Sequence, residues 1–140
     1  MKPKTTVTKG NQVNRKWHLV DVAGKTLGRA ATSIAQMLIG KSVSGFSFHR
    51  DDGDYVVVIN SDKVVVTGKK AKNKIYYHYT GYAGNLKELT FEEMMAKDSR
   101  KVIHHAVMGM IPKNRIRKNR MARLKIFADA NHHYEDKINQ

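Results

Sequence analysis

The sequence has no cysteine, few acidic residues and no long apolar run. Without cysteine the chain forms no disulfide, no thiolate metal site and no cysteine nucleophile, which agrees with a cytoplasmic setting. No apolar stretch approaches the roughly 20 residues that span a bilayer, so we expect no membrane partner. Residues 1–16 contain five basic residues and no acid but lack the apolar centre of a signal peptide, and we interpret them as a basic arm.

Positive charge dominates the composition of the chain. The chain has 26 lysines and arginines against 12 acidic residues, a formal net charge of +14 in 140 residues. A body with this potential attracts polyanions, and nucleic acid is the candidate that remains once a membrane is set aside.

Strand and helix patterns alternate along the chain. Residues 17–22 alternate as in a strand, and residues 27–38 have apolar side chains at helical spacing up to Gly40. Residues 55–59 form the β-branched run that is typical of a strand covered on both faces. Further β-type runs lie at residues 63–67, 75–79 and 124–128. We predict one α/β domain over residues 17–130 and a polar tail, residues 131–140, without a packing pattern.

The second half of the chain also contains helix signals. Thr90 and Glu93 have the spacing of a capping box, which predicts a short helix over residues 91–96. A second helix is predicted from Ser99 up to Pro112, because proline disfavours helical geometry in the residue before it. A third short helix is predicted over residues 115–121.

The segment from residue 99 to residue 128 is the most informative. It contains nine lysines and arginines and no acid, so no salt bridge within the segment can neutralise it. Phosphates lying among these cations would relieve their repulsion, and a solvated helix face is the alternative. The predicted RNA contacts here are Lys113, Arg115, Arg117, Lys118, Arg120 and Arg123.

A second basic stretch leads into a run of aromatic residues, and residues 63–87 contain no acid. Lysines can meet phosphates while aromatic rings stack on exposed bases, a combination that suits RNA. Alternate tyrosines in a strand are usually core residues, so for Tyr77 and Tyr79 base stacking is the less favoured interpretation. The predicted contacts are Lys69, Lys70, Lys72, Lys74 and Tyr82.

The turn Gly24-Lys25-Thr26 resembles part of a nucleotide-binding loop. The full motif needs a glycine where Leu19 stands, so we reject nucleotide binding. Two interpretations stay open: Lys25, Thr26 and Arg29 hold one RNA phosphate at the helix N-terminus, or Thr26 simply caps the helix.

No arrangement of residues indicates catalysis or metal binding. Asp51, Asp52 and Asp54 lack the spacing of a calcium loop, and the paired histidines are adjacent in sequence, so they point to different faces of a helix. We expect no enzymatic activity, cofactor, metal or small-molecule substrate.

Several ordered segments, spread over nearly the whole chain, resemble the bacterial large-subunit ribosomal protein family thirteen. They are residues 24–29, 52–60, 63–68, 74–78, 109–113 and 121–127. The resemblance implies a three-layer α/β/α fold with a four-stranded parallel sheet, early binding to large-subunit ribosomal RNA and neighbouring large-subunit ribosomal proteins. It also implies RNA contacts after Pro112 and across residues 69–84.

These observations favour a structural constituent of the large ribosomal subunit, in which cations replace counterions between RNA segments. A nucleic-acid-processing enzyme is the first alternative, and it lacks convergent carboxylates. A free regulatory RNA-binding protein is the second, and sequence alone leaves it open.

Overall fold

The computed structural model describes residues 13–43 and 45–138, so residues 1–12 of the predicted arm lie outside the described residues. The strands are β1 (Trp17–Asp21), β2 (Tyr55–Ile59), β3 (Ile75–Tyr79), β4 (Leu86–Thr90) and β5 (Leu124–Ile126). The helices are α1 (Leu27–Ile39), α2 (Lys70–Asn73), α3 (Phe91–Met110), α4 (Arg117–Ala122) and α5 (Glu135–Ile138), with a 3₁₀ turn at Ser61–Lys63.

Strands β1, β2 and β5 form a parallel sheet in the order β1-β2-β5. The central strand contains Val56, Val57 and Val58, which are fully buried, as its β-branched run predicted. Helix α1 connects β1 to the parallel strand β2, which gives a βαβ unit. The α/β class is confirmed, and the three-layer arrangement stays a prediction.

The predicted sheet of four parallel strands is corrected to three within the described residues. The β-type run at residues 63–67 does not join this sheet; it follows Asn60, whose φ of 58° and the 3₁₀ turn after it redirect the chain. Val65 then forms an isolated parallel bridge with Thr26. Because β1 has already ended and Thr26 leads directly into α1, no extended partner continues the pairing.

Helices α1 and α3 pack against each other and provide much of the core. In α1, Ile34 and Leu38 are fully buried, and the helix ends at Gly40 in the predicted left-handed conformation, with a φ of 83°. Burying a side chain of this size stabilises the fold by about 1.5–3 kcal/mol relative to leaving it exposed.

The capping box that starts α3 is confirmed. Glu93 N–H donates to the Thr90 hydroxyl at 3.3 Å, and Thr90 N–H donates to the Glu93 carboxylate at 2.8 Å. The helix is interrupted at Asp98, where φ is −164° and ψ is 97°, close to the boundary predicted between two helices. It ends before Pro112, with Ile111 in extended geometry.

Strands β3 and β4 form a separate antiparallel hairpin, of which the sequence predicted only the first strand. Gly81 and Gly84 in its turn have φ values of 95° and 77°, a region that glycine adopts without strain. Tyr82 lies between them at the tip, with 74% of the residue exposed.

The described part of the C-terminal segment packs on β1, although its sequence shows no packing pattern. The Trp17 ring stacks with Tyr55, with ring centroids 4.4 Å apart, and with Tyr134, with centroids 5.2 Å apart. Lys137 of α5 places its Nζ 5.2 Å from the centre of the Trp17 ring. A few aromatic contacts produce this packing, and they create no periodic sequence pattern.

Candidate nucleic-acid interface

The turn before α1 contains Lys25 and the first turn of the helix contains Arg29; both of these predicted contact residues are exposed. Thr26 occupies the N-cap position, but its side chain makes no capping hydrogen bond. The predicted cap position of Thr26 is therefore confirmed. An RNA phosphate at this turn stays a prediction.

The short helix α2 and its flanks hold the four lysines at positions 69, 70, 72 and 74, all exposed. The Nζ atom of Lys74 lies 5.1 Å from the centre of the Tyr76 ring, a cation–π contact. The ion pairs within residues 13–43 and 45–138 involve arginines and His18, and none of them involves a lysine. Within this part of the chain, therefore, no carboxylate forms an ion pair with these ammonium groups.

A cavity of about 310 Å³ joins three parts of the predicted interface. Gly28 at the start of α1, Lys70 and Lys74 around α2, and Met110 at the end of α3 all line it. Since Lys113 follows Met110 by three residues, the segment after Pro112 starts beside the same cavity. The two cations that line the cavity, Lys70 and Lys74, therefore lie beside the start of α1 and the end of α3.

The cations of the segment after Pro112 lie partly before α4 and partly in its first turn. Lys113, Arg115 and Lys118 are exposed, and Arg117 is half-buried. Asn114 fixes this turn, because its side-chain oxygen accepts a hydrogen bond from Arg117 N–H at 3.1 Å.

Arg120 and Arg123 lie inside the protein, with 1% and 6% of each residue exposed. Both terminal nitrogens of Arg123 donate to the Asp51 carboxylate at 2.5 Å. Arg120 donates to the carbonyl oxygen of Arg50 at 2.8 Å, and its Nε lies 3.6 Å from Asp51. We correct the prediction that these two arginines contact RNA, because their guanidinium groups are enclosed and face a carboxylate from outside the basic segment.

Asp51 is the common partner of these arginines. Burial alone would raise the pKa of its carboxyl group, but the hydrogen bonds and charge of Arg123, with the charges of Arg15 and Arg120, lower it below its ordinary value. The carboxylate is therefore ionised at neutral pH and neutralises part of the buried positive charge.

Close backbone packing positions the loop that contains Asp51. A Cβ atom added at Gly53 would lie 1.8 Å from the carbonyl oxygen of Leu38, so only glycine fits. The carbonyl oxygen of Leu38 also accepts a hydrogen bond from Arg123 at 3.2 Å. The sequence contained no local signal for this site, since its members are 72 residues apart.

The burial of the β3 tyrosines differs from the burial that the favoured interpretation predicted. Tyr77 and Tyr79 are exposed, with 61% and 59% of each residue accessible to solvent, so the expectation that they are core residues is wrong. Tyr76, directly before Tyr77, is the half-buried member and packs against the core. Burial raises the pKa of the Tyr76 hydroxyl above its ordinary value.

Residues 13–43 and 45–138 contain neither a candidate metal site nor a candidate membrane span. No group of three or more histidine, aspartate or glutamate side chains could hold a metal ion in this part of the chain. No helix there is both long and apolar enough to cross a bilayer.

The chain is similar to known proteins over most of its length. The family model described as ribosomal protein L13 matches residues 15–133. The large ribosomal subunit protein uL13 of Clostridioides difficile is 51% identical over 129 residues, which cover 92% of this chain and 90% of the relative. That of Thermotoga petrophila is 48% identical over 132 residues, 94% of this chain and 89% of the relative. That of Hamiltonella defensa is 48% identical over 131 residues, 94% of this chain and 92% of the relative. The chain therefore belongs to the ribosomal protein L13 family, a family of structural proteins and not of enzymes.

Proposed function

We propose that this chain is a structural constituent of the large ribosomal subunit in the cytoplasm, where it binds and organises large-subunit ribosomal RNA early in assembly. Its relatives carry the name of a large-subunit protein, which supports the location and implies neighbouring ribosomal proteins. The observation that carries the RNA-binding part is the set of exposed lysines without an ion-pair partner among the described residues.

All the proposed contact residues are exposed or partly exposed. They lie near the cavity, at the hairpin tip and at the start of α4. Ten of them are cations that can replace counterions on RNA phosphates, and Tyr82 adds a ring at the hairpin tip. The buried Arg120 and Arg123 do not belong to this set. The members are Lys25, Arg29, Lys69, Lys70, Lys72, Lys74, Tyr82, Lys113, Arg115, Arg117 and Lys118.

Salt dependence tests the mechanism. If about six to ten phosphates are engaged, raising salt from 50 to 200 mM lowers the affinity for isolated ribosomal RNA by roughly three to five decades. The double variant Lys70→Gln/Lys72→Gln should reduce the slope of log affinity against log salt by about two. The matched control is Lys97→Gln/Lys101→Gln, which removes two exposed lysines outside the proposed set. Equal slopes for the two double variants would contradict the proposed location of the contacts.

Density-gradient fractionation of a cell lysate in moderately high salt tests the cellular role. A structural constituent comigrates with the large subunit in stoichiometric amount and survives the salt wash. Recovery of the protein at the top of the gradient would instead favour a free regulatory RNA-binding protein.

A further inference from the structure

Helix α4 has little local support of its own apart from the hydrogen bond at Asn114. It contains six residues, and helices shorter than about 12 residues are marginal in water without tertiary contacts. Its N-cap residue, Ile116, makes no side-chain capping hydrogen bond, and no acidic residue lies in its first turn. Contacts with the rest of the fold therefore have to hold this helix against the mutual repulsion of its cations. The cations at and before its start are Lys113, Arg115, Arg117 and Lys118.

Arg120 connects α4 to the loop around Asp51. Its guanidinium group is enclosed, donates to the carbonyl oxygen of Arg50 at 2.8 Å and places Nε 3.6 Å from the Asp51 carboxylate. Successive residues of a helix are rotated by about 100°, so Lys118 and Arg120 lie on opposite sides of α4, roughly 200° apart. The inward position of Arg120 therefore directs Lys118 outward, in agreement with the exposure of Lys118.

Arg123 connects the other end of the helix to the same carboxylate. It occupies the C-cap position of α4, and both of its terminal nitrogens donate to Asp51. Among the described residues, the ion pairs of segment 113–125 are those of Arg120 and Arg123, and both end on Asp51. One acidic residue therefore holds α4 at two points.

The loop that carries Asp51 is itself fixed to the body of the protein. Asp54 is buried, and its N–H donates to the carbonyl oxygen of Met37, near the end of α1, at 3.2 Å. Its carboxylate accepts a hydrogen bond from Lys16 N–H, just before β1, at 3.0 Å. With the close approach of Gly53 to α1, these bonds give the Asp51 carboxylate a defined place relative to the sheet and α1.

We infer that Asp51 is a positioning residue for RNA binding: through Arg120 and Arg123 it orients α4 so that Arg117 and Lys118 reach RNA phosphates. The inference rests on the proposed function and assigns a role in it to a residue that does not touch RNA. It also reverses the expectation from charge. A carboxylate repels phosphate, so charge alone predicts that its removal strengthens RNA binding, whereas loss of two positioned cations weakens binding.

The test measures binding of the full chain to purified large-subunit ribosomal RNA, by filter binding over a salt series from about 50 to 200 mM. Asp51→Asn removes the carboxylate charge, and Asp51→Glu retains it. Asp51→Asn/Arg123→Met keeps the net charge of the wild type and leaves one buried guanidinium group instead of two, so it should fold even if Asp51→Asn does not. Val102→Ala opens a cavity at a fully buried position without changing a charge, and it controls for lost stability. Circular dichroism identifies conditions under which the variants compared are folded.

Asp51→Asn and Asp51→Asn/Arg123→Met should bind the RNA about tenfold more weakly at about 100 mM salt. The slope of log affinity against log salt should fall by about one to two, because up to two phosphate contacts are lost. Asp51→Glu should recover most of the affinity, and Val102→Ala should bind as the wild type does. Adding Arg117→Gln/Lys118→Gln should weaken the wild type but change Asp51→Asn little, since cations that are no longer positioned have no contact to lose.

Four results would overturn the inference. The first is equal or tighter binding by folded Asp51→Asn or by Asp51→Asn/Arg123→Met, which charge alone describes. The second is an additive loss when the Asp51 and α4 substitutions are combined, which would mean that they act independently. The third is a loss that Val102→Ala shares or that leaves the salt slope unchanged, which would assign Asp51 to stability alone. The fourth is a wild type that does not bind the RNA, which refutes the proposed function as well, whereas the other three leave it intact.

Discussion

Replacing Asp51 by asparagine should destabilise the protein strongly, although it removes a single negative charge from a very basic chain. Asp51 neutralises Arg123 through two hydrogen bonds and lies 3.6 Å from the Nε of Arg120. Asparagine leaves two buried guanidinium groups without a counterion. Removing one partner of a buried ion pair costs about 3–5 kcal/mol, and we expect the lower half of that range because a fifth of the Asp51 side chain, 21%, is exposed.

Equilibrium unfolding in urea measures this cost, with the fluorescence of Trp17, the one tryptophan of the chain, as the signal. The matched control is Asp129→Asn, which changes an exposed carboxylate and should shift the free energy of unfolding by less than about 0.5 kcal/mol. The m-value should stay constant, so that a lower urea midpoint reports stability alone.

The pH dependence gives an independent check. The pKa of Asp51 is lower in the folded protein than its ordinary value of 3.8, so its stabilising contribution is present above that pH and is lost as pH falls through the folded pKa. The difference between wild type and Asp51→Asn should therefore be constant near neutral pH and narrow below about pH 4. If Asp51→Asn and Asp129→Asn unfold at the same urea concentration, the carboxylate does not support the two arginines and our assignment of them to the interior fails.

Two further substitutions test the packing. Gly53→Ala should lower the free energy of unfolding by more than about 2 kcal/mol, because its Cβ meets the Leu38 carbonyl oxygen, whereas Gly109→Ala, with open space around its Cβ, should be neutral or stabilising by up to about 1 kcal/mol. Calorimetry on both variants compares them, and a smaller loss for Gly53→Ala than for Gly109→Ala would contradict the close approach. Tyr134→Ala should cost about 1–2 kcal/mol and shift the emission of Trp17, since it removes one of the two stacked rings; an unchanged spectrum would show that the tail does not pack on β1 in solution.

Local signals in the sequence predicted local structure well. The capping box at Thr90, the exit of α1 at Gly40 and the buried run in β2 each depend on neighbouring residues, and each is confirmed. The strand predicted at residues 63–67 failed because its formation depends on a partner, and the turn from Thr26 into α1 removes that partner. Propensity describes a segment and carries no information about the element beside it.

The candidate interface was predicted only in part, because it too depends on residues that are distant in sequence. Charge density identified cations most of which are exposed in the structure, but it could not separate Lys118 from Arg120, two residues apart on one short helix. Burial of Arg120 depends on Asp51, which is distant in sequence and had no assigned role. The exposure of Tyr77 and Tyr79 was missed because alternation shows that a strand has two faces but not which face the core covers.

The stack of Trp17 on Tyr134 has a consequence for synthesis of the chain. The two rings come from positions 117 residues apart, so β1 emerges long before the residue that covers Trp17. At typical rates of translation this interval is on the order of ten seconds. During this interval Trp17 and the edge of β1 stay accessible to other chains and to chaperones. A partner that binds during translation would therefore reach the protein most easily at β1.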